Sequence, residues 1–156
     1  MNPVEISLVQ PNQLPELCQL VKEVFHTHIA SLLSKKGIQS FEALFTPKQL
    51  LEKQKQGHML WKLHHGPQLL GLIGLDKAHI RYLFIKSDHH SQGAGKQALA
   101  FVFRYLTAQE VKEVTVFSSP NSVGFYKKQG FVPIGPEEEK NGIRFTPMAK
   151  PLASAL

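Results

Sequence analysis

The sequence predicts one domain of the α/β (α+β) class that spans residues 1–156. The clearest indication is a strand-like run at residues 80–85, which leads through a glycine-containing turn into a helix-like run at 97–106. A second strand, a short helix and another strand follow over residues 114–134. The chain reads in the order β, α, α, β, β, β, α, β, α, β, β, and its 42% of hydrophobic residues favours a folded core.

Hydrophobic spacing and turn residues predict the elements of the first half of the chain. Residues 4–9 alternate as a strand, and residues 14–33 carry apolar side chains at helical spacing up to a break at Gly37. Ser40 is expected to cap a second helical region over residues 41–56. The other expected features are an interruption near Thr46-Pro47, strands at 59–63 and 68–75, and a turn at Gly66-Pro67 between them.

The turn after residue 85 has the composition of a phosphate-binding loop. Gly93 and Gly95 leave backbone N–H groups unobstructed by a Cβ, at the positive end of the helix that follows. A tight turn that binds nothing is the plainer interpretation. The Walker motif is excluded because Gln97 follows Lys96, and Ala98 stands where the dinucleotide fingerprint usually has a third glycine.

The second strand leads into a segment with helix-capping and helix-ending residues. Ser118 and Ser119 can cap a short helix, Pro120 suits its first turn, and Gly130 is placed to end it in a left-handed conformation.

Together the two segments resemble the GNAT superfamily of acetyl-coenzyme A-dependent N-acetyltransferases. Residues 90–95, His-Ser-Gln-Gly-Ala-Gly, match the pyrophosphate loop of that family, with His90 in place of the usual Gln or Arg. In the later motif Ser119 takes the usual Asn position, and Tyr126 precedes a Gly-Phe pair at 130–131. Residues 140–148 are similar to those of a subgroup of uncharacterised bacterial GNAT proteins.

The resemblance implies a fold, a co-substrate and a binding site. The fold is a central mixed, mostly antiparallel sheet of about seven strands flanked by about four helices. The co-substrate is acetyl-CoA, which donates an acetyl group to a primary amine of a small molecule or a protein. The implied cofactor-binding residues are Leu83, Phe84, Ile85, His90, Ser91, Gln92, Gly93, Ala94, Gly95, Lys96, Ser119, Asn121, Phe125 and Tyr126.

The resemblance also implies catalytic roles. Tyr126 aligns with the family's tyrosine near the thioester sulfur and is the expected acid, although a half-buried packing role is the alternative. The amide of Phe84, at a β-bulge, is expected to polarise the thioester carbonyl. Ser119 either contacts the pantetheine arm or caps a helix, and Asn121 is the substitute for that contact.

The general base is less clearly marked. The family often uses a glutamate on the strand before the loop, but no carboxylate occurs between Ala78 and Ser87. His79 lies on or near the strand, and an imidazole has a suitable pKa, so His79 is the preferred candidate. His26 and His28, on the first helical segment, are the alternatives.

The net charge of +6 has two interpretations. Nucleic-acid binding is disfavoured because the basic residues are dispersed, whereas Lys96, Lys127 and Lys128 lie near the expected phosphates of coenzyme A. The eight histidines lack metal-ligand spacing, so no metal is expected. The acidic run 137–139 is expected to form a solvated turn that could attract a basic acceptor.

The cellular location and the oligomeric state are predicted from features that the sequence lacks. No apolar run has the length of a membrane span, no signal peptide is visible, and Cys18 is the single cysteine. A cytoplasmic protein without a membrane partner, monomeric or homodimeric, is therefore expected. An active enzyme is the first functional hypothesis, and a non-catalytic acetyl-CoA sensor or interaction module is the alternative.

Overall fold

The computed structural model describes residues 4–86 and 93–153. Its strands are β1 (Glu5–Leu8), β2 (Met59–His65), β3 (Gln68–Asp76), β4 (His79–Ile85), β5 (Glu113–Ser118), β6 (Val132–Pro133), β7 (Glu138–Lys140) and β8 (Ile143–Pro151). Its α-helices are α1 (Leu14–His28), α2 (Lys35–Leu44), α3 (Pro47–Lys55), α4 (Ala94–Ala108) and α5 (Val123–Lys128). The predicted fold class is confirmed. The described residues contain eight strands and five α-helices, one of each more than the approximate numbers that were expected.

The strands form one mixed sheet in the order β1-β2-β3-β4-β5-β8-β6, with β7 paired to β8. The pairing is antiparallel throughout except between β4 and β5, which run parallel. These two strands pair only at His79 with Thr115 and at Ile80 with Val116. Because β4 continues to Ile85 and β5 to Ser118, the two strands separate beyond this point and open a cleft in the sheet.

Each face of the sheet has its own apolar core. On one face, here called the α4 face, Ile80, Val114 and Val116 pack with α4 and α5. On the other face, here called the α1 face, Leu72, Tyr82 and Phe84 pack with the three helices α1 to α3. Side chains alternate between faces along a strand, so Thr115 and Phe117 of β5 lie on the α1 face.

The first helical region differs from its prediction at the end of the first helix and at the start of the second. The helix α1 ends at His28, and a short 3-10 turn, Ala30–Leu32, follows it. Ser34, rather than Ser40, caps α2, and its hydroxyl accepts a hydrogen bond from the N–H of Gly37 at 3.1 Å. Gly37 therefore lies inside the first turn of α2 and does not break a helix.

Close packing explains why a glycine occupies that first turn. A Cβ at Gly37 would overlap the carbonyl oxygen of Gly142, at the tip of the β7–β8 hairpin. The predicted interruption near Thr46-Pro47 is present, because Thr46 caps α3 and Pro47 is its first residue.

The acidic run expected to be a turn is a strand. Glu138 and Glu139 belong to β7, opposite Phe145 and Arg144 of β8. The turn lies later, at Asn141 and Gly142, whose φ angles of 54° and 80° suit a tight hairpin. Three successive glutamates concealed the strand, because they show no alternation of polar and apolar residues.

Among the described helices, none combines the length and the apolar character that a membrane span requires.

Candidate active site

The cleft is bordered by the strand residues that the sequence analysis assigned to the cofactor. Leu83, Phe84 and Ile85 pair with Ile73, Leu72 and Gly71 of β3. Successive backbone groups of a strand point to alternate sides, so about half of those on β4 face β3 and the others face the cleft. The strand therefore presents hydrogen-bonding groups along the wall where β5 has moved away.

The β-bulge in β4 lies at a different residue from the one expected. Tyr82 pairs with Gly74 and Ile80 with Leu75, so Arg81 is the extra residue. Phe84, where the bulge was expected, is regularly paired. The bulge adjoins Gly74, whose missing Cβ leaves space that the ring of Tyr82 occupies.

No described residue lies in front of the N-terminus of α4. Gly93 precedes the helix with a φ of 76°, and among the described residues nothing lies within 4 Å of the position of an added Cβ. Within residues 4–86 and 93–153 no side chain caps this end, and the first turn of α4 contains no acidic residue. The first N–H groups of a helix have no intrahelical acceptor, so they are available to an anion here. Ala94 is buried and Lys96 is exposed.

Three residues assigned to the pyrophosphate loop, His90, Ser91 and Gln92, lie outside the described residues.

A glycine contact brings the two sequence motifs together. A Cβ at Gly95 would lie 3.0 Å from the Cζ atom of Phe125, so the aromatic ring packs directly against the start of α4. The rings of Phe125 and Tyr126 are 5.3 Å apart, and Tyr126 also packs edge-on against Phe131 at 5.3 Å. The ring of Tyr126 therefore has the packing role that was its alternative interpretation. Burial raises the pKa of Tyr126, so its hydroxyl stays protonated at neutral pH.

Ser119 does not cap a helix. It precedes the 3-10 turn Pro120–Ser122, but its hydroxyl makes no capping hydrogen bond. The hydroxyl donates to Oδ1 of Asn121 at 2.8 Å instead. Nδ2 of Asn121 donates to the carbonyl oxygen of His28 at 2.9 Å, which ties the segment after β5 to the end of α1.

The three candidate bases have different surroundings. His79 begins β4 on the α1 face, where its Nδ1 lies 2.7 Å from Oγ1 of Thr115 and its ring contacts Phe117 at 4.5 Å. His26 is exposed, and its Nε2 atom lies at hydrogen-bond distance, 3.0 Å, from Oε1 of Glu42. His28 accepts the hydrogen bond from Asn121 through its backbone. His79 alone of the three is a residue of β4.

Sequence reasoning missed two charged neighbours of His79. Burial lowers the pKa of His79, the positive charge of Arg81 lowers it further, and the carboxylate of Asp76 opposes part of this shift. Asp76 pairs with His79 across the β3–β4 turn and lies 3.6 Å from Nε2 of His58. The carboxylate was expected on β4, after the turn, whereas Asp76 ends β3, before it.

Two other features lie apart from the cleft. A shallow depression of about 250 Å³ is bordered by residues that include Gln13, Glu16, Lys62 and His64, and it contains none of the predicted site residues. Within residues 4–86 and 93–153, no group of three or more His, Cys, Asp or Glu side chains is arranged to hold a metal ion.

The chain belongs to the GNAT acetyltransferase family, because the family model described as "Acetyltransferase (GNAT) domain" matches residues 29–152. This confirms the resemblance found in the sequence. A curated relative from Gracilaria tenuistipitata var. liui, an uncharacterised N-acetyltransferase called ycf52, is 35% identical over 48 residues. That segment is 31% of this chain and 26% of the relative, so the chain matches about a quarter of the relative's length.

Solved structures with similar folds cover nearly the whole chain. The PaiA N-acetyltransferase of Thermoplasma acidophilum, in complex with coenzyme A, is 23% identical with a TM-score of 0.79, over 96% of this chain and 99% of that one. A GCN5-related N-acetyltransferase of Rhodopseudomonas palustris is 17% identical with a TM-score of 0.82, over 97% and 98%. YjaB of Escherichia coli is 21% identical with a TM-score of 0.72, over 98% and 99%.

We expect His79 to titrate below the ordinary histidine pKa of about 6.5, because burial and Arg81 disfavour its charged form. The substitution Arg81→Gln should raise this pKa, and Asp76→Asn should lower it. Side-chain NMR over a pH series measures both shifts. The control is Arg104→Gln, which removes an exposed cation from α4.

A His79 pKa at or above the ordinary value would contradict this description. Equal shifts in the Arg81 and Arg104 variants would do so as well, because they would indicate an effect of net charge alone.

Proposed function

We propose that the protein is an acetyl-CoA-dependent N-acetyltransferase that acetylates a primary amine by direct attack of the amine on the thioester. The observation that supports this proposal is the early separation of β4 from β5, together with a start of α4 at Gly93 that no described side chain caps. Family membership supports acetyl transfer, and a neighbouring fold was solved with coenzyme A. Neither of these findings specifies the acceptor, so its identity must be inferred from the residues of this chain.

The residues at the start of α4 fit the phosphates of coenzyme A. Residues 93–96 offer backbone N–H groups at the positive end of a helix without a side-chain cap, and the Lys96 side chain adds a cation. No described atom lies within 4 Å of an added Cβ at Gly93, so no described residue blocks the approach of a phosphate. The pantetheine arm is then expected along Leu83, Phe84 and Ile85, whose cleft-facing backbone groups suit its amides.

The two proposed catalytic side chains lie on opposite faces of the sheet. His79 is on the α1 face with Thr115 and Phe117, and Tyr126 is in the core of the α4 face. A cleft that passes through the sheet allows the amine to arrive from the first face and the thiolate to leave on the second. This arrangement separates the group that takes a proton from the group that stabilises the leaving sulfur.

The reaction then needs one proton acceptor and one hydrogen-bond donor. As the C–N bond forms, His79 takes the proton that the amine nitrogen loses, which its lowered pKa permits because the neutral imidazole dominates at pH 7. The C–S bond breaks, and coenzyme A leaves as a thiolate. The donor is the Tyr126 hydroxyl, which stabilises the sulfur as its negative charge grows.

The raised pKa of Tyr126 refines its role. Complete proton transfer from such a hydroxyl to a thiolate with an ordinary pKa of about 8.5 is unfavourable. Tyr126 is therefore proposed to act by hydrogen bonding, and the thiolate takes its proton from water after release. The hydroxyl remains the feature on which this role depends.

The substitution Gly93→Val should weaken coenzyme A binding at least tenfold. A branched side chain at a φ of 76° strains the backbone and fills the space in front of α4. The control is Gly66→Val, because Gly66 also has a positive φ of 55° and no atom within 4 Å of an added Cβ, but lies in the β2–β3 turn. Calorimetry with coenzyme A compares the two folded variants.

Wild-type affinity in the folded Gly93 variant would remove this loop from the phosphate site. An equal loss in both variants would indicate a general effect of backbone strain.

The substitution Tyr126→Phe should lower kcat about a hundredfold, as expected when one preorganised donor to a developing anion is removed. Affinity for coenzyme A should stay the same, since the ring packing is kept. Thiol release from acetyl-CoA with an amine panel measures the rate. The control is Tyr105→Phe, which removes a hydroxyl from α4 beside Trp61. Unchanged turnover in the Tyr126 variant would exclude the hydroxyl from the reaction.

A further inference from the structure

Thr115 of β5 contacts the start of β4 through both its side chain and its backbone. Its Oγ1 atom lies 2.7 Å from Nδ1 of His79, and its N–H group donates to the carbonyl oxygen of Ala78 at 3.0 Å. Thr115 and His79 are also register partners in the short parallel pairing of the two strands. The branched Cβ of a threonine leaves few χ1 rotamers, so the hydroxyl has a defined position beside the imidazole.

The ring of His79 lies where the cleft begins. Its Nδ1 atom is directed at Thr115, within the paired segment, and the ring contacts Phe117 at 4.5 Å. Phe117 follows the last residue of β5 that pairs with β4. Because a hydrogen bond occupies Nδ1, Nε2 is the nitrogen through which the proposed reaction would use the ring.

The hydrogen bond at Nδ1 has two possible directions. If Nδ1 carries the proton of the neutral ring, it donates to Oγ1 of Thr115, and Nε2 keeps its lone pair. If the hydroxyl of Thr115 donates, Nδ1 is the acceptor and the proton of the neutral ring is on Nε2. Only the first arrangement can take a proton from an amine at Nε2, so the direction of this one hydrogen bond decides whether His79 can act as the base.

The charged neighbours of His79 act in opposite directions. The positive charge of Arg81, the extra residue of the β4 bulge, disfavours the imidazolium form, whereas Asp76, across the β3–β4 turn, favours it. Burial lowers the pKa of His58, which lies 3.6 Å from the Asp76 carboxylate, so His58 is mainly neutral at pH 7. The hydrogen bond to Thr115 acts on one ring nitrogen alone, which is how a neighbour determines the tautomer of a histidine.

We propose that Thr115 is a positioning residue that accepts a hydrogen bond from Nδ1 of His79 and so holds the ring in the tautomer with a lone pair on Nε2. In the reaction, the amine nitrogen bonds to the acetyl carbon and gives its proton to Nε2, and the electron pair of the C–S bond leaves with the sulfur. The bond from Nδ1 to Thr115 is the same before and after this transfer, so the ring keeps its orientation. This inference rests on the proposed function, because it names the group that orients the base of that reaction.

The tautomer of His79 is measurable without any substrate. Nitrogen-15 chemical shifts distinguish a protonated ring nitrogen from one with a lone pair, and the variant His79→Gln identifies the signals. At a pH about two units above the ordinary histidine pKa, we expect the proton on Nδ1. The substitution Thr115→Ser should preserve this tautomer. Thr115→Val, which suits a strand but has no hydroxyl, should increase the tautomer with the proton on Nε2.

Thiol release from acetyl-CoA with the amine panel tests the effect of the tautomer on the rate. Thr115→Val should lower kcat about tenfold, which is part of the effect of a positioned general base, and Thr115→Ser should restore most of the rate. Calorimetry should give the same affinity for coenzyme A in both variants. The control is Thr146→Val, because Thr146 is also half-buried in a strand but lies on the α4 face, opposite Ser118.

The outcomes distinguish the role of Thr115 from the proposed function. A proton on Nε2 of His79 in the unmodified protein, or an unchanged tautomer in Thr115→Val, overturns the role of Thr115 and leaves the proposed function intact. Equal losses of rate in the Thr115→Val and Thr146→Val variants do the same, because they indicate a general structural effect. An absence of thiol release with every amine overturns the proposed function, whatever the tautomer. A proton on Nδ1 that the serine variant keeps and the valine variant loses, together with the rate, supports both.

Discussion

The candidate active site depends on one feature of the sheet: β4 and β5 stop pairing before either strand ends. Two residue pairs join these parallel strands before they separate, although each strand continues beyond the last pair. Buried backbone groups normally require partners, so the edge of β4 from which β5 separates is suited to a ligand that carries amides. Under the proposed function, the same separation would let His79 on one face and Tyr126 on the other serve one reaction.

The packing around the cleft fixes the relative positions of the proposed site residues. On the α4 face, the contact between Gly95 and Phe125 holds the start of α4 against α5, so the proposed phosphate-binding residues and Tyr126 are held together. On the α1 face, the bond from Asn121 to the carbonyl of His28 and the contact of Gly37 with Gly142 join the helices to the strands beyond the cleft.

Local patterns in the sequence were enough for the framework. The strand, glycine turn and helix around Gly93 predicted the start of α4, and Gly130 has the expected left-handed φ of 95° after α5. What local patterns could not supply is spacing across strands. Asp76 pairs with His79 through a turn, Gly37 is small because Gly142 is close, and Glu138 shares a face with Phe145 only through the register of a hairpin whose charges hide its period.

The most direct test of the account follows backbone amide signals by NMR while coenzyme A is added. The account predicts that the largest shifts occur at residues 83–85 and 93–96, which border the cleft and begin α4. Shifts confined to another region, such as the depression beside His64, would contradict the assignment of the cleft. The absence of any shift at saturating coenzyme A would contradict cofactor binding itself.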